Sequence, residues 1–288
     1  MNAPTGHTRD WNVLRMLEFG TDYFEKKQVP SPRLSIEWLL SHVLNIKRLD
    51  LYLQYDRPLT EKNLAHLKPL VLRRGHHEPL QYITGETDFY NLTLSIQPGV
   101  LIPRPETEEL VGFILNDLPK NTPFTLLDVG TGSGCIALAI KKERPDGRVT
   151  GIDLSEEALE VARVNSRKLD LDVEFIQSDL CSFEANEKMD VLVSNPPYIG
   201  TNEKSTLEKQ VIRYEPEMAL ITSDVIRMYT NLSSLCRRLL KPGGLFYLEI
   251  NDLYAEDLLP EFNSHSLSAV LKKDLSGKQR FIVGKTTA

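Results

Sequence analysis

The feature that most restricts how this chain can fold is an alternation of apolar strands and helical segments after residue 124. Thr125–Val129 is an apolar strand, the glycine-rich turn 130–134 follows it, and residues 136–142 have helical spacing. A second strand, Arg148–Asp153, leads into a helix that Ser155 is expected to cap. Units that alternate in this way pack as parallel strands with right-handed helical crossovers. The pattern predicts an α/β domain built on a mostly parallel, doubly wound sheet.

Further apolar segments supply the other strands of this sheet. The run Lys241-Pro242-Gly243-Gly244 is expected to stop a helix and turn the chain, and Ser276-Gly277 to join the last two strands as a hairpin. Because a hairpin is antiparallel, it would add an antiparallel edge, which brings the expected total to seven strands. The expected segments are 173–177, 189–194, 245–250, 267–271 and 280–283.

The glycine-rich turn is a candidate ligand site. Between a strand and a helix, glycines let backbone amides approach a ligand closely. Asp153 ends the second strand 23 residues after Gly130, where an acid can accept the hydroxyls of an adenosine ribose. The dinucleotide fingerprint requires glycine at its sixth position, which is Cys135 here, so a nicotinamide oxidoreductase is disfavoured.

The string Asn195-Pro196-Pro197-Tyr198 comes directly after the fourth strand. Neither proline can donate a ladder hydrogen bond, so the strand must end there. At the carboxyl end of a parallel strand, the Asn195 carboxamide and the Pro196 carbonyl would offer two acceptors to a crevice, and Tyr198 a flat face. This arrangement suits a planar NH2 group, either a Gln or Asn amide or a nucleobase amino group. A plain proline turn capped by asparagine is the alternative for this string alone.

Residues 1–78 have the pattern of a small helical bundle. Nothing in it has the spacing of a catalytic or metal-ligating group, so we expect it to choose a partner rather than to react with one. Pro69 should kink or end the last helix. Helical segments are expected over 8–27, after Ser31 as the N-cap with Pro32 at the first helical position, around 49–53 and after Thr60.

Residues 79–102 predict a β-hairpin linker. Apolar and polar residues alternate over 89–96, which is typical of a strand. Gly85 before this segment and Pro98-Gly99 after it supply turns.

The segment 101–108 is rich in proline. Pro103 and Pro105 should hold the backbone around Arg104, although an ordinary interdomain linker is the alternative. Thr107 is expected to open the next helix, because acids follow it in what would be the first turn.

Charge and composition exclude some classes. The net charge of -6 and the pI of about 5.6 argue against a protein that holds nucleic acid by neutralising phosphates. No apolar run approaches the roughly 18 to 20 residues of a membrane span, and the N-terminus lacks an apolar leader, so we expect a cytoplasmic protein without membrane contact. Cys135, Cys181 and Cys236 are widely spaced, which suggests neither disulfides nor a metal site. Cys135, at a helix start, has a reactive thiol as its second option.

The acid and three alternating glycines from Asp128 to Gly134, followed by acids at the ends of the next two strands, resemble the class I S-adenosylmethionine-dependent methyltransferases. In that family the glycine-rich turn lies against the methionine part, the second-strand acid holds the ribose and the third-strand acid contacts adenine. The resemblance implies the cofactor-binding residues Gly130, Thr131, Gly132, Ser133, Gly134, Asp153, Asp179, Leu180 and Asn195.

More specific motifs are similar to those of the bacterial release factor glutamine methyltransferase family. The resemblance implies transfer of a methyl group from S-adenosyl-L-methionine to N5 of the glutamine in the Gly-Gly-Gln motif of class I peptide chain release factors, with S-adenosyl-L-homocysteine as product. Residues 221–225 and Asn251 depart from the pattern, because many relatives have glycines there. The matching motifs are 101–108, 128–134, 195–199, Glu215-Pro216-x-x-Ala219-Leu220 and Lys273-Asp274-Leu275 with Arg280.

The resemblance also implies an organisation and roles. Residues 1–78 would be a helical substrate-recognition domain, 79–102 the hairpin linker and 103–288 the methyltransferase domain, in a protein expected to act as a monomer. The catalytic residues would be Asn195, Pro196 and Tyr198, and the substrate-binding residues Asn195, Pro196, Pro197 and Tyr198.

Other functions stay open at this point. A ribosomal protein glutamine or adenine N6 of DNA would suit the same Asn-Pro-Pro-Tyr turn, although adenine methylation requires a flipped base and the acidic charge disfavours DNA. A non-catalytic adenosine-binding partner of a translation factor is the alternative from a different class.

Overall fold

The computed structural model describes residues 11–287. Contacts divide the chain into an N-terminal unit that ends at Gly85 and a C-terminal unit that begins at Glu86. Within the described residues, none of the helices has both the length and the apolar character required to cross a bilayer.

The N-terminal unit is helical. Its core is a cluster of buried apolar side chains that includes Leu17, Phe24, Ile36 and Leu40. These residues recur at helical spacing, which is why their segments form amphipathic helices that bury one face. The helices are α1 (Val13–Lys26), α2 (Pro32–Leu44), a 3-10 turn (Arg48–Leu53), α3 (Glu61–Gly75) and α4 (Leu80–Thr84).

Two details of this unit differ from the sequence predictions, and one predicted boundary lies outside the described residues. Asn12 caps α1, and Thr8 lies outside the described residues. Ser31 precedes α2 in a left-handed conformation, with φ of 48°, and its side chain makes no capping hydrogen bond. Pro69 does not end α3, which continues to Gly75, because buried side chains on both sides of the proline hold the helix against the core.

The C-terminal unit alternates strands and helices, as the sequence pattern predicts. Its helices are α5 (Pro105–Asp117), α6 (Cys135–Glu143), α7 (Glu156–Leu169), α8 (Lys209–Tyr214), α9 (Glu217–Leu220), α10 (Val225–Leu239) and α11 (Ala255–Leu258). Its strands are β1 (Glu86–Phe89), β2 (Leu92–Ser95), β3 (Thr125–Val129), β4 (Arg148–Asp153), β5 (Glu174–Gln177), β6 (Met189–Ser194), β7 (Ile199–Gly200), β8 (Ile221–Thr222), β9 (Leu240–Glu249), β10 (Leu267–Lys273) and β11 (Gln279–Thr286).

Seven strands form the central sheet in the order β10-β11-β9-β6-β3-β4-β5. The five from β9 to β5 are parallel, and the hairpin of β10 and β11 adds the expected antiparallel edge. Chain order reverses between β6 and β3, since β3 has β4 on its other side. In an open α/β sheet such a reversal leaves a crevice at the carboxyl ends of the strands, where ligands bind.

The central strands are buried on both faces. Leu126 and Val191 belong to one apolar cluster, whereas their chain neighbours Leu127 and Leu192 belong to another. Successive side chains of a strand point to opposite faces, so the two clusters cover the two faces of the sheet. The strand ends are therefore rigidly placed.

The hairpin before the sheet differs from its prediction. The segment 89–96 is not one strand, because Tyr90 and Asn91 have φ of 44° and 62° and turn the chain between β1 and β2. Positive φ at both central residues of a two-residue loop matches the twist of a hairpin, and asparagine tolerates this conformation. The hairpin is part of the C-terminal unit.

Two element boundaries also differ. The strand predicted over 245–250 begins at Leu240, and the run 241–244 lies within it as an irregularity, since Met189 pairs with Leu240 but Val191 with Leu245. Helix α5 begins at Pro105 rather than at Thr107, because proline is well suited to a first helical position.

Candidate active site

A cavity of about 400 Å³ lies at the carboxyl ends of β3, β4 and β6. It is placed where the strand order reverses. The predicted site residues among its lining are the turn Gly130, Thr131, Gly132 and Ser133, the acid Asp153, Leu180, and Asn195, Pro196 and Pro197.

The glycine-rich turn bends sharply around the cavity. Gly130 and Gly132 have φ of 72° and 58°, and a Cβ built on Gly132 would meet no atom within 4 Å. A side chain at Gly132 would therefore project into open space that the glycine leaves empty. Gly134 is different, because its Cβ would press against Leu138 and Phe175, so this glycine allows close packing of α6 on the sheet.

Asp128 holds this turn from beneath. Its fully buried Oδ2 accepts hydrogen bonds from Thr131 Oγ1 at 2.6 Å and from the Ala137 amide at 3.3 Å. Oδ1 is buried without a hydrogen-bond partner among residues 11–287. Burial raises the pKa of the Asp128 carboxyl to about 7, against the opposing effect of these hydrogen bonds.

Asp153 stands at the end of β4, as predicted. Oδ2 accepts a hydrogen bond from the Gly132 amide and Oδ1 one from the Ser155 amide, both at 2.9 Å. The carboxylate thus ties the glycine-rich turn to the start of α7. Burial raises its pKa, and the backbone hydrogen bonds oppose that rise.

Asp179 is exposed at the end of β5, where its Oδ1 accepts a hydrogen bond from the Cys181 amide at 2.7 Å. Its neighbours Ser178 and Leu180 line the cavity, but Asp179 is not among the described lining residues.

Asn195 is oriented by a chain of hydrogen bonds that the sequence did not reveal. Its Nδ2 donates to Thr107 Oγ1 at 3.0 Å, and Thr107 Oγ1 donates to Glu249 Oε2 at 2.8 Å. The hydroxyl of Tyr198 donates to the other oxygen of Glu249 at 3.0 Å. Tyr198 is therefore anchored behind Asn195, and it is not one of the described cavity-lining residues.

Glu249 is the shared acceptor of these hydrogen bonds, and its side chain is buried, with only 1% exposed. Burial raises the pKa of its carboxyl to about 7, against the hydrogen bonds from Thr107 and Tyr198 and the charge of Arg280. Sequence reasoning missed Glu249 as a site residue. Its position could have indicated it, because Glu249 ends a buried parallel strand next to β6. Thr107 had a signal in the motif 101–108.

Arg104 forms an ion pair next to the cavity, between two of its lining segments. Its Nη2 donates to both carboxylate oxygens of the buried Glu215, at 2.8 and 2.9 Å, and the Ile102 amide donates to Glu215 Oε2 at 3.3 Å. The flanking residues Pro103 and Pro216 line the cavity. The ion pair therefore joins two segments of the rim, and the side chain of Arg104 is held by Glu215, a partner that the sequence did not predict.

The residues that depart from the family pattern have defined places. Ile221 pairs with Ile199 between β8 and β7, and it lines the cavity together with Thr222 and Ser223. Asn251 Nδ2 donates to the Tyr198 carbonyl at 3.4 Å.

Cys135 lines the cavity but is not an activated thiol. Desolvation raises its pKa to about 12, and the nearby Asp128 charge adds to that effect. The thiolate option considered for a cysteine at a helix start is therefore wrong.

Two protein families match the chain. The PrmC N-terminal domain family matches residues 15–85, and the Methyltransferase small domain family matches residues 104–252. The release factor glutamine methyltransferase of Bacteroides thetaiotaomicron is 41% identical, over 83% of this chain and 87% of the relative. Those of Koribacter versatilis and Leptospira interrogans are 41% and 36% identical, over 91% and 94% of this chain and 94% and 97% of the relatives.

Solved structures share the fold. A methyltransferase from Pyrococcus furiosus has a TM-score of 0.51 at 18% identity, covering 68% of this chain and 89% of its own. The 16S rRNA N2 G1207 methyltransferase RsmC of Thermus thermophilus, in complex with AdoMet and guanosine, has a TM-score of 0.51 at 16% identity, over 70% of this chain and 50% of its own. The sequence relatives and the two matched families assign the chain to the release factor glutamine methyltransferase family.

Proposed function

We propose that this protein transfers a methyl group from S-adenosyl-L-methionine to N5 of the glutamine in the Gly-Gly-Gln motif of class I peptide chain release factors. Relatives that are 35–41% identical over most of the chain are release factor glutamine methyltransferases, which supports the substrate. The observation that carries the proposal is the held carboxamide of Asn195, whose Nδ2 is bound to Thr107 while the residue lines the cavity.

The residues around the cavity fit the cofactor. Gly132 leaves open space where a side chain would otherwise enter, and the turn lies beside the amino end of α6. The turn 130–134 would hold the methionine part, Asp153 the ribose, and Asp179 with Leu180 the adenine. When bound, S-adenosyl-L-methionine supplies the methyl group on a sulfonium centre, and S-adenosyl-L-homocysteine remains as product.

Asn195 and Pro196 would orient the substrate amide. An amide nitrogen is a poor nucleophile because its lone pair is delocalised into the carbonyl. Asn195 Oδ1 and the Pro196 carbonyl accept the two amide hydrogens, which aims the nitrogen lone pair at the methyl carbon. They also favour the positive charge that develops on the nitrogen as its new bond to carbon forms. Pro197 lines the cavity and would help to exclude water, whereas Tyr198 would act through its hydrogen bond to Glu249.

Among the described lining residues, no group is placed to act as a general base. Asp153 is the one carboxylate among the described lining residues, and both of its oxygens already accept backbone amides. After transfer, the nitrogen therefore releases its proton to solvent. Alignment has to supply most of the rate gain, and effective-molarity effects reach about 7 to 11 kcal/mol in favourable cases.

The N-terminal unit is proposed to select the substrate. Residues 1–78 form the substrate-recognition part of the proposed organisation, with 79–102 as linker and 103–288 as the methyltransferase domain. In that case, substitutions that disrupt the apolar core of this bundle would raise KM for the release factor without changing the affinity for the cofactor.

A matched pair of glycine variants tests the cofactor site. Gly132→Val fills the open space beside the turn at a φ of 58°, whereas Gly277→Val places the same side chain in open space on the β10–β11 hairpin, also at a positive φ, 88°. We expect calorimetry to find loss of S-adenosyl-L-methionine binding in Gly132→Val and wild-type binding in Gly277→Val. Wild-type binding by both variants would place the cofactor elsewhere.

A further inference from the structure

We propose that Glu249 is a positioning residue which, acting through Thr107, determines which end of the Asn195 carboxamide faces the cavity. The inference rests on the proposed function only for its kinetic readout. Its geometric content concerns three side chains of the free protein.

The direction of the hydrogen bonds determines which atom of the Asn195 carboxamide faces Thr107. The nitrogen and oxygen of an asparagine carboxamide have nearly the same size, so packing alone does not choose between the two orientations of Asn195. A hydroxyl donates one hydrogen bond and accepts others. If Thr107 donates to Glu249, it can only accept from Asn195, and Nδ2 must then be the atom that faces Thr107.

The Glu249 carboxylate imposes this direction. An ionised carboxylate is an acceptor only, so Thr107 Oγ1 has to donate to Oε2, at 2.8 Å. Tyr198 occupies the other oxygen as a donor, at 3.0 Å. The carboxylate is therefore fixed from both sides, and the oxygen of Asn195 is left for a ligand in the cavity.

The groups around Glu249 bring the pKa of its carboxyl close to neutral pH. Arg280 lowers the pKa, Glu106 raises it, and burial raises it most, to about 7. The hydroxyl of Tyr229 donates to the backbone carbonyl of Glu249 rather than to its carboxylate. Cys135 also lies within electrostatic range but keeps its proton, since its own pKa is raised to about 12.

If the hydrogen bonds from Asn195 through Thr107 to Glu249 reversed their direction, the site could no longer bind the substrate amide. A protonated Glu249 can donate to Thr107, whose hydroxyl is then free to donate to Asn195 Oδ1. The carboxamide would turn by 180° and present its NH2 group to the cavity, where a glutamine NH2 needs an acceptor. The loss would fall on kcat, because the amide is misdirected while the cofactor contacts are untouched.

The test uses two variants of one residue. Thr107→Val keeps the branched shape and removes the hydroxyl, whereas Thr107→Ser keeps the hydroxyl. We expect Thr107→Val to lower kcat about 10- to 100-fold with S-adenosyl-L-methionine affinity within about threefold of wild type, and Thr107→Ser to retain kcat within about threefold. Equal kcat in Thr107→Val and wild type would overturn the proposal.

A double-mutant cycle tests the route of the effect. Glu249→Leu removes both acceptor oxygens, and in the wild-type background it should lower kcat about tenfold or more. In the Thr107→Val background the same change should lower kcat by less than about threefold, because the link is already broken. Additive losses would mean that Glu249 acts by supporting the fold, not through Thr107. Calorimetric binding of S-adenosyl-L-methionine verifies that each variant is folded.

A readout without activity separates this inference from the proposed function. In 15N-labelled protein, the side-chain NH2 signals of Asn195 are assigned by their absence in Asn195→Ala. Thr107→Val should shift one of the two proton signals upfield as its hydrogen bond is lost, and Thr107→Ser should not. Unchanged signals in Thr107→Val overturn the inference, even if the release factor is methylated. The expected shift in a protein that does not methylate a release factor supports the inference and contradicts the proposed substrate.

Discussion

Replacing Asp128 by asparagine should make the protein less sensitive to rising pH. Asparagine keeps the size of the side chain and an oxygen that can accept from Thr131 and the Ala137 amide, but it cannot ionise. In the wild type, burial raises the Asp128 pKa from the ordinary 3.8 to about 7, so the folded state holds its proton more tightly than the unfolded state. Stability from this group is therefore lost as pH rises from about 4 to about 7.

The size of the effect follows from the two pKa values. A difference of about 3 pKa units corresponds to about 4 kcal/mol, at about 1.4 kcal/mol for each unit. Because part of the change lies below pH 5, about 2.5 kcal/mol remains between pH 5 and pH 8. Solvent does not screen this effect, because the Asp128 side chain is fully buried.

Urea unfolding at pH 5, 6, 7 and 8, followed by circular dichroism, measures this difference. The free energy of unfolding of Asp128→Asn relative to wild type should rise by about 2.5 kcal/mol from pH 5 to pH 8. Asp257→Asn is the control, because it removes an exposed carboxylate and should give a curve parallel to wild type. A curve for Asp128→Asn that also runs parallel to wild type would refute the argument from burial.

Three other predictions concern the site. Asn195→Ala should lower turnover about 100-fold or more while S-adenosyl-L-methionine affinity changes less than about fivefold; equal losses in kinetics and calorimetry would contradict an orienting role. Arg104→Ala leaves the buried Glu215 without its cation and should reduce the free energy of unfolding by about 2 kcal/mol in urea titrations, whereas Arg104→Lys should lose less. Iodoacetamide at pH 8 should modify the exposed Cys181 before the less exposed Cys135, whose pKa is raised to about 12; peptide mass spectra with Cys135 modified first would contradict that raised pKa.

The fold could be predicted from the sequence because its signals are local. The alternation of apolar strands with helical spacing after residue 124 determines a parallel sheet, and the glycine-rich turn and the prolines after β6 mark two of its strand ends. Local signals failed where packing or backbone conformation decided the outcome. Pro69 remains within α3 because its neighbours are buried, and Tyr90 with Asn91 interrupts what looks like one continuous alternating strand.

The site could be predicted only in part, for a physical reason. Asn195 and Asp153 could be predicted because Asp153 ends strand β4 and Asn195 directly follows strand β6. The link from Thr107 to Glu249 joins residues 142 positions apart, and a single sequence carries no record of which distant side chains meet. The same applies to Arg104 and Glu215, whose partnership depends on how two loops of the rim approach each other.

The most direct test is transfer of labelled methyl from S-adenosyl-L-methionine to a purified class I release factor. We expect label on the factor that carries Gly-Gly-Gln and none on a variant in which that glutamine is alanine. Equal label on both forms would contradict glutamine as the acceptor. Label on neither, with transfer to a ribosomal protein or to DNA, would contradict the release factor as the substrate.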